Sequence, residues 1–188
     1  MKYCCYCSEE LIYDIPDDDN RHRYICLRCD IIHYQNPKIV AGCIPVWEDK
    51  ILLCKRAIEP RLGYWTLPAG FMELGESSLE AGIRETLEEA NARVEVEDLF
   101  AVFNLPHVDQ VYMMFRSRLL DLEFSPGIES LEVKLFTEDE IPWDKLAFRT
   151  ITETLRCYFK DRTQGKFQIH TGDVIKNEST YDFIATLV

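Results

Sequence analysis

Glu85, Glu88 and Glu89 have the spacing of three carboxylates on one face of a helix, because positions i, i+3 and i+4 project together at about 100° per residue. The opposite side of that helix carries Leu79, Ile83, Thr86 and Ala90. Like charges at this spacing repel one another by roughly 0.2–0.5 kcal/mol. A hard divalent cation such as Mg²⁺ removes the repulsion, since it prefers oxygen ligands. A solvated acidic surface is the simpler interpretation of a glutamate pair alone. The choice between such a surface and a metal site therefore depends on the flanking residues.

The flanking residues extend the cluster into a longer pattern that resembles the Nudix box. That box is a glycine, five residues, a glutamate, seven residues, Arg-Glu, an apolar residue, any residue, Glu-Glu, any residue, a glycine and an apolar residue. Every polar position is matched in this chain, by Gly70, Glu76, Arg84-Glu85 and Glu88-Glu89. Thr86 and Asn91 depart from it, but asparagine tolerates the left-handed conformation that ends a helix. On this pattern the chain is identified as a member of the Nudix family.

The resemblance implies a divalent metal site and a role for each matching residue. Mg²⁺ or Mn²⁺ would be bound by three carboxylates and one backbone carbonyl, those of Glu85, Glu88, Glu89 and Gly70. Arg84 would belong to the catalytic set by orienting the glutamates, and Glu76 would have mainly a structural role.

Hydrolysis of a diphosphate linkage needs neutralised phosphoryl oxygens and an activated water, and a proton acceptor for that water has to be found. Glu88 and Glu89 are candidates within the cluster. In several Nudix enzymes the base comes from a later loop, which makes Glu129 and Glu132 of the segment PGIESLE candidates as well, although a polar loop followed by a strand is the simpler interpretation. Arg56, near the end of the strand before the box, is a candidate phosphate ligand, and a surface cation is an equally good interpretation.

The likeness runs from Cys4 to about Lys166 and narrows the expected substrate. The segments YQNPKIVAGCIP, LLCKR, GYWTLPAGFMELGES, PGIESLE and LFTEDEIPWDKLAF resemble the zinc-ribbon Nudix proteins typified by plant chloroplast FAD pyrophosphatase. That resemblance implies hydrolysis of FAD to FMN and AMP, or of ADP-ribose to AMP and ribose 5-phosphate.

Two alternatives remain open. The NADH pyrophosphatases of the family carry SQPWPFPxS after the box, which the segment FNLPHVDQVY does not match, so NADH or another dinucleotide is the second choice of substrate. A non-catalytic Nudix nucleotide sensor is the other alternative. Sensors of that kind tend to lose box carboxylates and to gain a DNA-binding domain, whereas this chain keeps the carboxylates and shows no helix-turn-helix pattern. An enzyme is therefore the preferred prediction.

Four cysteines in two pairs predict a second metal site. Cys4-x2-Cys7 and Cys26-x2-Cys29 have the spacing of a zinc ribbon, in which four thiolates hold Zn²⁺ as a tetrahedron. The role predicted for the zinc is structural, because a module of residues 1–36 has too small a core to fold without such a staple. Its few basic residues are offset by aspartates and glutamates, so nucleic-acid binding is the less favoured function.

The elements that must position these residues alternate between strand and helix patterns. Strand patterns cover 38–47, 51–55, 93–103, 111–120 and 131–136, and helical patterns cover 77–90 and 148–160. These patterns indicate only mixed content. The resemblance implies the α/β fold class, an α/β/α sandwich around a mixed sheet, divided into a zinc ribbon (1–36), a Nudix domain (37–162) and a polar C-terminal tail (163–188) with one short strand at 167–170.

Composition limits the partners. The net charge of −12 disfavours nucleic acid, because phosphates are bound mainly by cationic side chains. A run of about 18 apolar residues, as a membrane span needs, is missing from the sequence, and MKYCCYC lacks the apolar region of a signal peptide. The expectation is a cytoplasmic enzyme with a small-molecule nucleotide substrate and no membrane partner. Nudix enzymes of this size are often homodimers, which the sequence leaves open.

Overall fold

The computed structural model describes residues 1–177 and 180–186, and the chain forms two compact units, Met1–Pro37 and Lys38–Val188. In the first unit, β1 (Ile12–Asp14), β2 (Arg23–Cys26) and β3 (Ile31–His33) form an antiparallel sheet in that order. A tight turn follows each cysteine pair, and it places Ser8 at φ 60° and Asp30 at φ 55°. Many zinc knuckles use glycine at these points, and here serine and aspartate take up the left-handed conformation instead.

The described part of the second unit is built on one nine-stranded mixed sheet. Its strands are β4 (Lys38–Trp47), β5 (Lys50–Arg56), β6 (Trp65–Thr66), β7 (Ala69–Phe71), β8 (Val94–Leu105), β9 (Gln110–Leu119), β10 (Ser130–Phe136), β11 (His170–Lys176) and β12 (Tyr181–Thr186). The order is β10-β5-β4-β9-β8-β11-β12, with β6 paired to β5 and β7 paired to β4. The pairs β4–β9 and β8–β11 are parallel, and the other pairs are antiparallel.

Two helices cover the faces of this sheet: α1 (Ser78–Ala90) and α2 (Arg149–Gln164). Side chains alternate between the faces along a strand, and the core is divided accordingly. Ile51 and Leu53 of β5 join the apolar cluster that contains Ile151, Leu155 and Phe159 of α2. Leu52 and Cys54 of the same strand join the cluster that contains Ala90 of α1. The α/β class and the α/β/α layering expected from the resemblance are therefore confirmed.

The C-terminal segment differs from its sequence-based prediction. A strand was expected at 167–170, but β11 begins at His170 and runs to Lys176, where β12 pairs with it. The segment HTGDVIK carries little apolar alternation, and its pairing partner β8 lies far away in the sequence, so local patterns could not reveal it. In the described ranges, the structure contains no helix long and apolar enough to cross a membrane.

Candidate active site

Helix α1 begins and ends at well-defined caps. The Ser77 hydroxyl accepts a hydrogen bond from the Glu80 backbone N–H, and the Glu80 carboxylate accepts one from the Ser77 N–H, which together form a capping box. At the other end Asn91 adopts φ 47° and ψ 26°, the left-handed conformation expected of the residue that replaces the box glycine. Thr86, the other departure, is buried, and its hydroxyl donates to the Gly82 carbonyl at 2.7 Å. Neither departure interrupts the helix.

Arg84 is the hub of the acidic cluster. Its guanidinium donates to both carboxylate oxygens of Glu76 at 3.0 and 2.8 Å, and to the Phe71 carbonyl at 3.1 Å. One of its terminal nitrogens also donates to Glu85 at 2.8 Å and to Glu88 at 3.2 Å. The hydrogen bonds from Arg84 lower the pKa of Glu76 to about 2. Arg84 therefore contacts three glutamates, which agrees with the orienting role that the resemblance to the Nudix box implies for it.

Gly70 brings a backbone strand directly onto Glu85. It lies in β7, which pairs with β4 through Ala41. A Cβ atom at position 70 would come within 2.3–2.4 Å of the Glu85 carboxylate, closer than real Cβ atoms approach other atoms. A side chain at position 70 would therefore displace the Glu85 carboxylate from its place beside β7. The next residue back, Ala69, donates its N–H to the Glu89 carboxylate at 3.3 Å.

Burial and mutual repulsion disfavour the charged form of the buried carboxylates in this cluster. Burial, together with the neighbouring Glu85, raises the pKa of Glu89 to about 8. Burial also raises the pKa of Glu85, although Arg84 counteracts it. Glu88 is the most exposed of the three. A divalent cation would supply the missing positive charge, and carboxylate oxygens are ligands that a hard metal ion prefers, so these residues fit such an ion.

The three glutamates converge less tightly than the cysteines do. Among the described residues, the only group of three or more potential ligands whose atoms all lie within 4.8 Å of one another is Cys4, Cys7, Cys26 and Cys29. The ligand oxygens of the three glutamates do not all lie within that distance, and one Arg84 nitrogen donates to both Glu85 and Glu88. The expected glutamates thus face one cleft with a cation of the protein between them.

Of the two candidate bases in the later loop, the structure brings only Glu129 to this cleft. Glu129 lies close enough for its charge to raise the pKa values of Glu85 and Glu89, and it lines the cavity described below. Glu132 pairs across the sheet with Lys55, with 3.6 Å between its carboxylate and the lysine Nζ. Although only three positions separate them, Glu129 therefore lies in the cleft and Glu132 in the sheet.

A cavity of about 1860 Å³ opens over the carboxylates. Arg56 lines it at the end of β5, with its guanidinium 5.2 Å from the centre of the Phe148 ring and its Nε donating to the Pro60 carbonyl at 2.9 Å. The charge of Arg56 also acts to lower the pKa of Glu89, which places it near the cluster. Other walls come from residues that the sequence analysis did not assign to the site, among them Tyr112, Phe148, Tyr181 and Asn91. Phe71 also lines the cavity, whereas Trp65 packs in the core against Phe136.

The cysteine cluster of the first unit has the arrangement of a zinc site. The Sγ atoms of Cys7 and Cys26 lie 3.5 Å apart, and the backbone N–H groups of Tyr6 and Cys29 donate to the Sγ atoms of Cys4 and Cys26. Cys5 is exposed and lies outside the cluster. Of the adjacent cysteines Cys4 and Cys5, Cys4 is therefore the one that belongs to the cluster, as its two-residue spacing from Cys7 predicts.

Comparison with known proteins agrees with these sites. Residues 36–170 match the model of the NUDIX domain, and residues 2–35 match the model of the Nudix N-terminal zinc ribbon. An ADP-ribose pyrophosphatase from Methanocaldococcus jannaschii is 30% identical, over 77% of this chain and 89% of that protein. The NAD-capped RNA hydrolase NudC of Escherichia coli is 33% identical, over 75% of this chain, which spans 53% of that protein's length.

Solved structures give the same result. A crystal structure of a NUDIX hydrolase from Nitrosomonas europaea is 58% identical and superposes with a TM-score of 0.92, over 94% of this chain and 100% of that one. An ADP-ribose pyrophosphatase from Streptococcus suis is 26% identical with a TM-score of 0.60, over 72% and 99% of the two chains. With its box residues around one cleft and its four clustered cysteines, the chain belongs to the Nudix family of pyrophosphohydrolases and carries the Nudix N-terminal zinc ribbon.

Proposed function

We propose that this protein is a divalent-cation-dependent pyrophosphatase that splits ADP-ribose into AMP and ribose 5-phosphate, FAD into FMN and AMP, or both. The observation that carries the proposal is the set of half-buried to buried carboxylates, Glu85 and Glu89, beneath Gly70 at the base of a large cavity. Two relatives named ADP-ribose pyrophosphatase support the first substrate. The likeness to zinc-ribbon FAD pyrophosphatases supports the second.

The cation is proposed to be Mg²⁺ or Mn²⁺. Its ligands would be the carboxylates of Glu85, Glu88 and Glu89 and the carbonyl of Gly70. When bound, it supplies positive charge to the phosphoryl oxygens and lowers the pKa of a coordinated water. Arg84 donates hydrogen bonds to Glu85 and Glu88 and is itself held by Glu76. These bonds would keep the two carboxylates in position whether or not the cation is bound.

The remaining steps fall to the chain's own residues. Arg56 binds a phosphoryl oxygen of the substrate, because its guanidinium lines the cavity beside the carboxylates. Water attacks one phosphorus in line, and the bond from that phosphorus to the bridging oxygen breaks, which releases two monophosphates. Glu129 accepts the proton of the attacking water, since it is the loop glutamate that faces the cleft. Glu88 and Glu89 are the alternative acceptors within the cluster.

The size of the cavity favours a dinucleotide over a single nucleotide. At about 1860 Å³ it is larger than the roughly 300–1,000 Å³ of ordinary small-molecule pockets. Aromatic rings of Phe71, Tyr112, Phe148 and Tyr181 line it and offer surfaces for two flat ring systems. NADH and other NAD-type dinucleotides are therefore the second candidate substrates, supported also by the NudC relatives.

We also propose a role for each of three segments of the chain. Residues 1–36 form a structural zinc ribbon and 37–162 the Nudix domain, while 163–188 contribute β11 and β12 to its sheet. We propose a cytoplasmic location, because the thiols that would bind zinc are kept reduced in that compartment. The partner is a small nucleotide, with neither nucleic acid nor membrane involved, and a homodimer remains a proposal to be tested by sedimentation.

A substrate panel tests the proposal. Phosphate release from FAD, ADP-ribose and NADH is measured with Mg²⁺ and a coupled phosphatase, for the parent protein and for Glu88→Gln. The matched control is Glu123→Gln, since that side chain is 87% exposed and lies outside the cavity. We expect hydrolysis by the parent and the control, and a loss of about 10²-fold or more in Glu88→Gln, as for removal of one metal-supporting group. Absence of magnesium-dependent hydrolysis of every substrate would favour the nucleotide sensor.

A further inference from the structure

Asn91, which stands where the Nudix box has glycine, makes contacts that glycine cannot make. Its backbone N–H donates to the Leu87 carbonyl at 2.8 Å and closes the helix. Its side-chain amide nitrogen donates across to the loop that precedes β10, to the Ser125 carbonyl at 3.1 Å, the Ser125 hydroxyl at 3.2 Å and the Pro126 carbonyl at 3.3 Å. A glycine would keep the first of these bonds and lose the rest.

The same loop is tied to the last turn of α1 through its backbone. The N–H of Ser125 donates to the Ala90 carbonyl at 2.9 Å, and the N–H of Gly127 donates to the Glu89 carbonyl at 3.0 Å. These carbonyls have no partner within the helix, so the loop completes its C-terminal end. Gly127 approaches so closely that a Cβ there would lie 1.8 Å from the Glu88 carbonyl oxygen. The loop is therefore built against the helix that carries the acidic cluster.

Glu129 follows two residues after this contact and is anchored on its far side as well. Its backbone carbonyl accepts the N–H of Ala57, just beyond the end of β5, at 2.8 Å, and the N–H of Ser130 closes a turn onto the Gly127 carbonyl at 3.1 Å. The position of the Glu129 carboxylate over Glu85 and Glu89 thus depends on where residues 125–127 are held. The Asn91 amide contributes the side-chain contacts that hold them.

We infer that Asn91 is a positioning residue, which clamps residues 125–127 to the end of α1 and thereby sets the Glu129 carboxylate at the reacting water. The inference rests on the proposed function, in which Glu129 accepts the proton. Asn91 touches neither substrate nor metal in this role. Small displacements of a catalytic group are costly, since a misplacement of about 1 Å can lower a rate on the order of 10²-fold.

The test is the substitution Asn91→Gly, which restores the family residue and keeps the left-handed helix end. We expect kcat for ADP-ribose hydrolysis to fall about tenfold with little change in KM, because the chemical step and not binding is affected. Amide hydrogen exchange at Ser125 and Gly127 should become faster, as their backbone bonds open more often. The matched control is Glu48→Gly, which also replaces a positive-φ residue (φ 55°) by glycine, in the turn between β4 and β5. It should alter neither kcat nor exchange in the loop.

A double substitution separates this inference from the function on which it rests. In a Glu129→Gln background, Asn91→Gly should cause no further loss of kcat, because the group that Asn91 positions is already gone. An equal further loss would overturn the inference, as would unchanged loop exchange or full activity in the single variant Asn91→Gly. Full activity of Glu129→Gln alone would instead refute the assignment of the base, and faster loop exchange in Asn91→Gly would then leave only a structural clamp.

Discussion

Gly70 and Glu85 are packed so closely that a Cβ on residue 70 would lie 2.3 Å from the Glu85 Cδ, so any side chain at position 70 requires the Glu85 carboxylate to move. Gly70→Ala should therefore push the Glu85 carboxylate out of the acidic cluster. We expect Mn²⁺ affinity, measured by calorimetry, to fall on the order of 10- to 100-fold, as for other disturbed metal-site geometries.

A second substitution distinguishes displacement of Glu85 from general damage to β7. Glu85→Asp shortens the side chain by one methylene and makes room for the added methyl group. The combination Gly70→Ala with Glu85→Asp should bind Mn²⁺ more tightly than Gly70→Ala alone. Equal or weaker binding by the double variant would contradict the steric explanation, because a disordered β7 would not be repaired by a shorter acid.

The pairing of Glu76 with Arg84 predicts an acid-dependent part of stability. Hydrogen bonds from Arg84 hold the pKa of Glu76 at about 2, below the roughly 4.3 of an unfolded glutamate. A folded pKa below the unfolded one means that the stabilisation is complete above the unfolded value and is lost as the pH falls toward 2. Glu76→Gln should therefore destabilise the protein at pH 7, and its deficit in the free energy of unfolding should shrink between pH 5 and pH 3.

Urea unfolding followed by tryptophan fluorescence, to which the buried Trp65 contributes, measures this difference at each pH. Glu123→Gln is the comparison variant, because its carboxylate is largely exposed and its partner Arg93 lies 3.8 Å away. Its difference from the parent should stay near zero over the same range. A Glu76→Gln deficit that is independent of pH would show that packing, and not the charge of Glu76, is lost.

The four-cysteine site predicts which thiols the zinc requires. Zinc content should be one ion per chain in the parent and in Cys5→Ser, since Cys5 lies outside the cluster. It should be lost in Cys4→Ser and Cys26→Ser, because three thiolates no longer close the tetrahedron. Metal analysis after gel filtration decides between these outcomes. Retention of zinc in Cys4→Ser together with its loss in Cys5→Ser would reverse the assignment.

How far the sequence could predict these features depends on how local they are. Helix α1 and its carboxylate face follow from a 3.6-residue period within one short segment, so the helix and its three glutamates could be identified beforehand. The choice between Glu129 and Glu132 could not, because it is made by the register of β10 against β5, where Glu132 lies opposite Lys55. A register between distant strands leaves no mark in either segment alone.

The contacts of Asn91 and the C-terminal strands show the same limit. In the sequence, Asn91 is notable only because it replaces the final glycine of the Nudix box. Its hydrogen-bond partners lie 34 and 35 positions further along the chain. Its side-chain contacts become visible once the loop is folded back onto α1. Strand β11 is polar enough to resemble a tail in the sequence, but it pairs with both β8 and β12, and its Val174 is buried. Long-range pairing outweighs local propensity at both places.

Two buried threonines of α2 can be compared with each other, because one of them lines the large cavity and the other does not. The hydroxyls of Thr150 and Thr154 are buried without a hydrogen-bond partner among the described residues, and only Thr150 also lines the large cavity. An unpartnered buried hydroxyl costs about 1–3 kcal/mol, so Thr154→Val should raise the free energy of unfolding by about 1 kcal/mol with no change in KM. Thr150→Val should stabilise the protein similarly. Because Thr150 is the one of the two that lines the cavity, we expect that variant alone to raise KM for the dinucleotide, and identical KM values for the two variants would show that neither threonine serves substrate binding.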